Sequence, residues 1–487
     1  MSIGADRHLK LGIVGGLGTR AGADILNQIV RLTPVKSESD HREISFEQKP
    51  LLEPVSAANR EYSPTHRKFY VFDTLARMEK NGCDAALLPC FITHTFIEEL
   101  RAELGIKLIS MTDAIGEYIR QHHSKAKRIG VLTTRYVREK RLFDILLGPD
   151  VEVLYPTQET ETDMLQAIYG SEGFKAGNSG NEIKACMGRV IEDLVERGAE
   201  IILPGMTEIP LMNLDSTKNI DVPQLNTNEI YARFALKQTS GLIAKPFKIG
   251  IVGGVGPAAT IDFMSKLVNA TEAECDQDHV KLLVEQNPQI PDRTLNLIAD
   301  GVDPTLALYS TCKKLEAGGA DLIAIPCNTA HAYVDRIQRH LNIPIVNILT
   351  ETITYIQKHH PEICKVGILA TSGTIASGLY QEALFAENMM PIVPNANIQS
   401  KVMEAIYGDK GVKAGFINGL CLQNIKEAIS ALTDAGAEGI ILGCTELPLI
   451  APVTKSNRLP ILFDPTQILA QKCIEFSGKS KSDIQNT

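Results

Sequence analysis

Two cysteines each follow an apolar run and precede polar residues. Cys327 comes just after the run 321–325, and Cys444 closes the stretch 439–444. We therefore expect each thiol where a strand ends and a helix begins. A helix N-terminus carries unsatisfied N–H groups and a partial positive charge, which favour a thiolate over a thiol. A lone cysteine in such a place is usually a buried structural thiol. Two of them predict a pair that face each other across one small-molecule site.

Polar residues that could bind a carboxylate stand beside both cysteines. Asn328 and Thr329 follow the first cysteine, and Thr445 follows the second. Each could cap the next helix or orient a substrate carboxylate. Thr371 belongs to a further hydroxyl-rich strand–helix turn. There, a plain N-cap and a carboxylate site at a helix N-terminus both remain open.

Two cations lie in loops near the same predicted rim. Arg293 falls in the prolyl loop 287–294, and Lys413 falls in the glycine-rich loop 408–415. Each is either a solvated charge or a carboxylate contact, and an arginine can hold a carboxylate through two parallel hydrogen bonds. His331, four residues after Cys327, either approaches that thiol or is an ordinary first-turn side chain, which we favour. The sequence shows no metal-ligand spacing and no Ser-His-Asp order.

A glycine-rich turn, residues 253–259, follows the first strand of the second half. Read from Gly254 it fits G-x-G-x-x-A, a pattern of dinucleotide-binding sites. However, Pro257 takes the first helical turn, and no acidic partner is evident at the end of the next strand. We favour a tight turn whose backbone amides approach a small carboxylate.

The chain is a tandem duplication. Residues 10–18 recur as 248–256, residues 167–170 as 405–408, and residues 175–177 as 413–415, each shifted by 238 positions. Repeats of this kind mark two copies of one structural unit. We predict one unit over residues 1–240 and a second over residues 246–480, joined by a polar segment at 238–246.

Within each copy, short apolar runs alternate with longer amphipathic ones. This alternation predicts an α/β fold with parallel sheets and crossover helices. The second copy has strand candidates at 248–252, 281–285, 322–325, 345–347, 366–370, 390–393, 440–442 and 461–463. Helical patterns lie at 258–271, 305–317, 333–340, 350–358, 377–387, 402–407 and 418–435. Eight strands suit two four-stranded lobes per unit, four lobes in all. Sites in such sheets lie at the carboxyl ends of strands, where both cysteines fall.

Composition restricts the partners. The 487 residues carry a net charge of −9 and no basic stripe interleaved with aromatic residues, which argues against a nucleic-acid partner. No apolar segment reaches transmembrane length and no N-terminal signal pattern appears, so no membrane partner is expected. Ten cysteines without a CxxC pair indicate a reducing, cytoplasmic location.

Four motifs of the second copy together resemble the aspartate/glutamate racemase superfamily, most closely its aspartate racemase branch. They are Gly-Ile-Val-Gly-Gly-Val-Gly-Pro, Asn-Pro-Gln-Ile-Pro-Asp-Arg-Thr, Pro-Cys-Asn-Thr-Ala-His and Gly-Cys-Thr-Glu-Leu-Pro, in that order. The glutamate branch typically has histidine after the second Cys-Thr. Glu446 stands there in this chain, which favours the aspartate branch or a broader one.

The resemblance implies two lobes with a site in the cleft between them. It also implies racemisation of a dicarboxylic amino acid without pyridoxal phosphate or another cofactor. Cys327 and Cys444 match the catalytic pair of the family. The substrate pocket is matched by Asn328, Thr329, Thr371 and Thr445, and the contacts to the substrate side chain by Arg293 and Lys413.

The first copy departs from the pattern. Cys90 is retained, but Phe91 and Ile92 replace the polar pair, Met206 replaces the second cysteine, and Val55 stands opposite Arg293. A thioether cannot exchange a proton, so we expect a degenerate, structural unit. Because units of this family commonly pair, the duplication would make an intramolecular pseudo-dimer. The alternatives are a non-catalytic ligand-binding or scaffold protein, a broad-specificity racemase, and a related isomerase.

Overall fold

The computed structural model describes residues 9–51, 53, 56–214, 222–239, 246–450 and 460–480. The chain folds into two compact units, residues 1–245 and 246–487. Most of the predicted linker, residues 240–245, lies outside the described residues. Each unit is considered by itself below.

The first lobe of the N-terminal unit holds a parallel sheet in the order β2-β1-β3-β4. Its elements are β1 (Leu11–Val14), α1 (Thr19–Leu32), β2 (Ile44–Glu47), α2 (Thr65–Lys80), β3 (Ala85–Leu87), α3 (Phe91–His94), α4 (Ile97–Glu103), β4 (Lys107–Ile109) and α5 (Met111–His122).

The second lobe of that unit has a parallel sheet in the order β6-β5-β7. Its elements are β5 (Arg128–Leu132), α6 (Arg135–Glu139), α7 (Leu142–Leu147), β6 (Glu152–Leu154), α8 (Gln158–Tyr169), α9 (Asn181–Glu196) and β7 (Ile201–Pro204), followed by α10 (Thr227–Leu236). Where a fourth strand would pair, the described residues form a single parallel bridge between Ile202 and Gln224.

The first lobe of the C-terminal unit repeats this plan, with the sheet order β9-β8-β10-β11. It contains β8 (Lys248–Gly253), α11 (Pro257–Ala270), β9 (Lys281–Gln286), α12 (Arg293–Ala299), α13 (Thr305–Ala317), β10 (Leu322–Ala324), α14 (Val334–Gln338), β11 (Ile345–Val346) and α15 (Ile348–His359). Ile249 and Ile251 of the central β8 pack with Phe263 of α11, and all three are fully buried.

The second lobe has the sheet order β13-β12-β14-β15. It contains β12 (Lys365–Ala370), α16 (Ser372–Ser377), α17 (Leu379–Ala386), β13 (Met390–Ile392), α18 (Ala396–Tyr407), α19 (Leu420–Asp434), β14 (Gly439–Gly443), β15 (Ile461–Phe463) and α20 (Pro465–Ser477). The prediction of an α/β fold with two four-stranded parallel lobes is confirmed for this unit.

The helices differ from the sequence predictions at several elements. α12 and α20 were not predicted. The helix predicted over 377–387 corresponds to α17, and α16 lies before it, ended by Gly378 with a φ of +72°. The segment predicted as a helix from residue 333 begins as a 3₁₀ helix, Thr329–Tyr333, and only five α-helical residues follow. Among the described residues, no helix combines the length and the apolar character that crossing a membrane requires.

Candidate active site

All eight predicted site residues line one cleft between the two lobes of the C-terminal unit. They are Arg293, Cys327, Asn328, Thr329, Thr371, Lys413, Cys444 and Thr445. Cys327 follows β10 of the first lobe and Cys444 follows β14 of the second, so each lobe contributes one thiol from a strand end. Both cysteines are buried. The cleft is narrow, with a free volume of about 10 Å³.

Cys327 lies beside a buried cation. Arg293 is the first residue of α12, which is capped by the Asp292 carboxylate accepting from the Leu295 N–H at 2.9 Å. Its Nη1 donates to the Pro291 carbonyl at 3.1 Å. Burial opposes the charge of Arg293, but the neighbouring Cys327 and Asp292 outweigh it and raise the pKa of the guanidinium. Arg293 is therefore not the solvated surface arginine of the alternative interpretation.

Two hydrogen-bond donors at the cleft lack an acceptor. Arg293 Nε and Asn328 Nδ2 are buried and have no partner among the described residues. A buried donor without an acceptor costs about 1–3 kcal/mol. A carboxylate in the cleft would supply acceptors for such donors, because its two oxygens offer about four lone-pair sites.

Cys444 has anionic surroundings instead. Its thiol donates to Glu446 Oε2 at 3.1 Å, and the Thr445 hydroxyl donates to the same oxygen at 3.3 Å. Lys413 forms an ion pair with the other oxygen of Glu446. Burial first, and then the Glu446 carboxylate, raise the pKa of Cys444 well above its usual value, although Lys413 acts in the opposite direction. Cys444 is held as a thiol in this arrangement.

Four threonine hydroxyls connect the two lobes across the cleft. Thr294 donates to Thr371 at 3.1 Å, and Thr329 lies 3.2 Å from Thr371 and 2.7 Å from Thr374. Thr294 and Thr329 belong to the first lobe, and Thr371 and Thr374 belong to the second. This hydroxyl cluster ties the lobes together beside the thiols.

Helix capping explains the position of Thr371 but not that of Asn328. Thr371 does cap α16, because its hydroxyl accepts from the Thr374 N–H at 3.2 Å. Asn328 makes no cap; its Oδ1 accepts from the Tyr380 hydroxyl at 2.7 Å. The segments after Cys327 and Cys444 begin as 3₁₀ helices of five and three residues. In these described segments, contrary to the prediction from the sequence, neither thiol therefore lies at the N-terminus of an α-helix. The charged side chains beside the thiols are Arg293 for Cys327 and Glu446 for Cys444.

His331 does not reach the thiol. Its Nε2 accepts from the Ile348 N–H at 3.3 Å, so Nδ1 carries the proton and donates to the Cys327 carbonyl at 2.9 Å. Burial lowers the pKa of this imidazole to about 4. The favoured interpretation, a structural side chain, agrees with these contacts, and His331 fixes the backbone of Cys327.

The glycine turn holds protein groups close together. Gly254 and Gly256 have φ values of +85° and +122°, which favour glycine. A Cβ at Gly256 would lie 2.5 Å from Glu446 Oε1. Because the Glu446 carboxylate occupies the space at the start of α11, a pyrophosphate would meet a negative charge there, which disfavours the dinucleotide interpretation.

The Asp/Glu/hydantoin racemase family profile matches residues 14–235 and 252–473. The chain belongs to this family. The broad specificity amino-acid racemase RacX of Bacillus subtilis is 32% identical over 233 residues, which is 46% of this chain and 96% of that protein. A glutamate racemase of Corynebacterium kroppenstedtii is 32% identical over 149 residues, 30% of this chain and 49% of that protein. The solved Picrophilus torridus aspartate racemase is 31% identical, with a TM-score of 0.43, and covers 49% of this chain and 97% of its own.

Other residues of this racemase cleft were not among the predicted site residues. Val255, Thr294, Tyr407 and Glu446 also line it. From the sequence, Glu446 indicates the family branch, and its place two residues after Cys444 is the signal that could have found it as a site residue. Tyr407 lies in the repeated Ala-Ile-Tyr-Gly motif, and its hydroxyl donates to Asp292 at 3.3 Å. No group of three or more His, Cys, Asp or Glu side chains in the described part of the chain is placed to hold a metal ion.

Of the two cleft thiols, the N-terminal unit retains only the equivalent of Cys327, and a different arginine lies beside it. Cys90 and Met206 are both buried. Val55, the residue opposite Arg293, lies outside the described residues. The Cys90 sulfur accepts from Arg67 Nη1 at 2.9 Å, and Arg67 belongs to α2 rather than to the loop after β2. The Lys175–Glu208 ion pair repeats the Lys413–Glu446 pair.

Proposed function

We propose that the C-terminal unit racemises an acidic amino acid, aspartate in the first place, without a cofactor. The observation that carries this proposal is the pair of buried thiols in one cleft, one beside the Arg293 cation and the other donating to the Glu446 carboxylate. Opposite surroundings poise one sulfur as a base and the other as an acid. Inversion at a carbon requires both, one on each face.

In one direction, the Cys327 thiolate removes the α-proton of the substrate and becomes a thiol. The Cys444 thiol then donates its proton to the opposite face of the planar carbanion and becomes a thiolate. The electron pair left on the α-carbon forms the new C–H bond, so atoms and charges balance. The mirror-image substrate uses the two sulfurs in reversed roles.

Charge supports a dicarboxylic substrate. The cleft lining contains two cations, Arg293 and Lys413, against the single carboxylate of Glu446. The unpartnered donors of Arg293 and Asn328 suit an incoming carboxylate. Fixed donors that are already in place also stabilise the charge of the carbanion.

The N-terminal unit is proposed to lack this activity. Met206 stands where the second thiol would be, and a thioether has no proton to exchange. Phe91 and Ile92 are buried in place of Asn328 and Thr329, which removes polar contacts to a substrate. The intramolecular pseudo-dimer also stays a prediction.

The experiment is solvent exchange in D₂O. Purified full-length protein with aspartate and no added cofactor is expected to remove the α-proton signal from the NMR spectrum while the optical activity decays. Cys327→Ala and Cys444→Ala are each expected to abolish racemisation, since each removes one of the two proton carriers. Cys90→Ala is the matched control, a buried cysteine at the equivalent strand end, and it is expected to retain activity. Normal racemisation by both single variants would refute the mechanism.

Similarity to a relative named as a broad specificity racemase supports a wider substrate range as a second candidate. The same exchange measurement across D- and L-amino acids separates the two. Exchange confined to aspartate and glutamate supports the acidic substrate, and comparable exchange with neutral amino acids supports the wider range.

A further inference from the structure

The N-terminal unit contains a larger cavity than the C-terminal cleft. Its free volume is about 260 Å³, against about 10 Å³ for the cleft of the thiol pair. The wall includes the glycine turn at Gly16 and Gly18, Tyr169, and the Lys175–Glu208 pair. These are the residues equivalent to Gly254, Gly256, Tyr407 and the Lys413–Glu446 pair, so the cavity overlaps the position of an active-site cleft, although Cys90 and Met206 do not line it.

The charged residues of this cavity differ from those of the C-terminal cleft. The buried faces of α2 and α13 align at an offset of 237, with Thr74 opposite Thr311 and Met78 opposite Leu315, so Arg67 corresponds to Pro304, before the first residue of α13. Arg67 is 5% exposed and its guanidinium pairs with both oxygens of Glu53, at 3.0 and 2.6 Å. Glu53 corresponds to Pro291 at the 238-residue offset. An arginine and a carboxylate have thus been added where the other unit has neither.

The buried and half-buried charges of the N-terminal cavity nearly cancel. Arg67 and Lys175 are balanced by Glu53 and Glu208, whereas the C-terminal cleft has two cations and one carboxylate. Arg20 also lines the cavity, but it is exposed, donates to the Gly177 carbonyl at 2.8 Å and covers the Phe174 ring, so solvent screens its charge. Leu17, Leu51, Ala57 and Phe174 contribute apolar side chains to the remaining wall, and Thr19 and Ser56 contribute hydroxyls.

We propose that the N-terminal unit binds a neutral, zwitterionic amino acid with an apolar side chain in the cavity between Arg67, Glu53, Lys175 and Glu208. The ligand ammonium faces the Glu53 and Glu208 carboxylates, whose oxygens have lone pairs left beyond their present contacts. Its carboxylate faces Arg67 and Lys175. The side chain lies against Leu17, Leu51 and Phe174. This site goes beyond the proposed racemase activity and does not depend on it.

The absence of tryptophan from the chain allows a clean test. Tyr169→Trp places the single tryptophan at the N-terminal cavity, and Tyr407→Trp is the matched control at the C-terminal cleft. Both are made in full-length protein carrying Cys327→Ala and Cys444→Ala, so that binding is measured without turnover. L-Leucine is expected to change the fluorescence of Tyr169→Trp saturably, with half-saturation below about 1 mM, whereas L-aspartate changes it less.

A further variant tests the ammonium contact. Glu53→Gln in the Tyr169→Trp protein removes one carboxylate and is expected to raise the half-saturation concentration at least about tenfold, the usual size of a charged hydrogen bond. Circular dichroism checks folding, and calorimetric titration of the chain with its natural Tyr169 provides a second reading with L-leucine. No saturable binding by either method, a preference for aspartate at the cavity, or an unchanged Glu53→Gln response overturns the proposal. If the native chain does not racemise amino acids, the proposed function is refuted, but the binding result at the N-terminal cavity is unaffected.

Discussion

Glu446 decides the protonation of one thiol. It accepts from Cys444, pairs with Lys413 and lies beside Gly256. Without its negative charge, the pKa of Cys444 is expected to fall, because burial and this carboxylate both raise it and Lys413 would then face the sulfur alone.

Glu446→Gln is therefore expected to move the descending, high-pH limb of the pH–rate profile to lower pH by about one unit or more. The profile of kcat/KM for aspartate measures this shift. Glu427→Gln, which changes an exposed carboxylate of α19, is the control and should leave the profile in place. An unshifted limb in Glu446→Gln would mean that Cys444 does not act as the acid.

His331 makes stability depend on pH. Burial lowers its pKa to about 4, below the unfolded value of 6.5, so the unfolded chain binds the proton more readily. The stabilisation is complete above pH 6.5 and is lost as the pH falls towards 4, by about 3 kcal/mol in all. Urea unfolding between pH 7 and 4 is expected to show a smaller pH dependence in His331→Gln than in the parent chain. Equal slopes would contradict this assignment.

At the level of elements, the glycine turn before α11 combines a left-handed backbone with close contact. A Cβ at Gly254 would lie 2.3 Å from the Asn287 carbonyl carbon, whereas one at Gly415, with φ +92°, would meet no atom within 4 Å. Gly415→Ala is expected to lower the free energy of unfolding by about 1–2 kcal/mol, the strain of a left-handed alanine. Gly254→Ala is expected to lower it by at least about 2 kcal/mol more, because the neighbouring backbone must also move. Denaturant unfolding compares the two, and equal losses would contradict the importance of the close approach.

The strands of the C-terminal unit could be predicted because each is a short apolar run between turns, and buried parallel strands have that pattern. The sequence does not predict α12, because its first residues follow two prolines, a pattern typical of a loop. Strand ends alone place the two cysteines and the polar residues beside them at one rim, whereas Lys413 lies in a loop after a helix and is linked to the site by the family resemblance. The partners of the thiols could not be predicted, because the contact between Cys444 and Glu446, and that between Cys90 and Arg67, depend on side-chain directions that spacing does not give.

At the level of the whole molecule, the two units have diverged in more than one thiol. The N-terminal unit differs in its second sulfur, in the pair after Cys90 and in the origin of its arginine. Restoring the sulfur alone should therefore not restore catalysis.

Met206→Cys, placed in the Cys327→Ala/Cys444→Ala chain, is expected to racemise aspartate at less than about a hundredth of the parent rate, because misplaced substrate loses at least that much. Polarimetry with aspartate measures the outcome, and the Cys327→Ala/Cys444→Ala chain without Met206→Cys is the baseline. A rate near that of the parent would show that the second thiol was the single decisive difference.

The hydroxyl cluster between the lobes has a consequence for reversibility. In the contacts among Thr329, Thr371 and Thr374, either oxygen can be the donor. A hydroxyl proton rotates to suit its neighbours, so the direction of such a network can be reversed without moving a heavy atom. A racemase must serve two mirror-image substrates with its two sulfurs in exchanged charge states. Groups that can only donate, such as amide N–H groups, would favour one enantiomer. Hydroxyls can act as donor or acceptor, so the same cleft can accept both enantiomers.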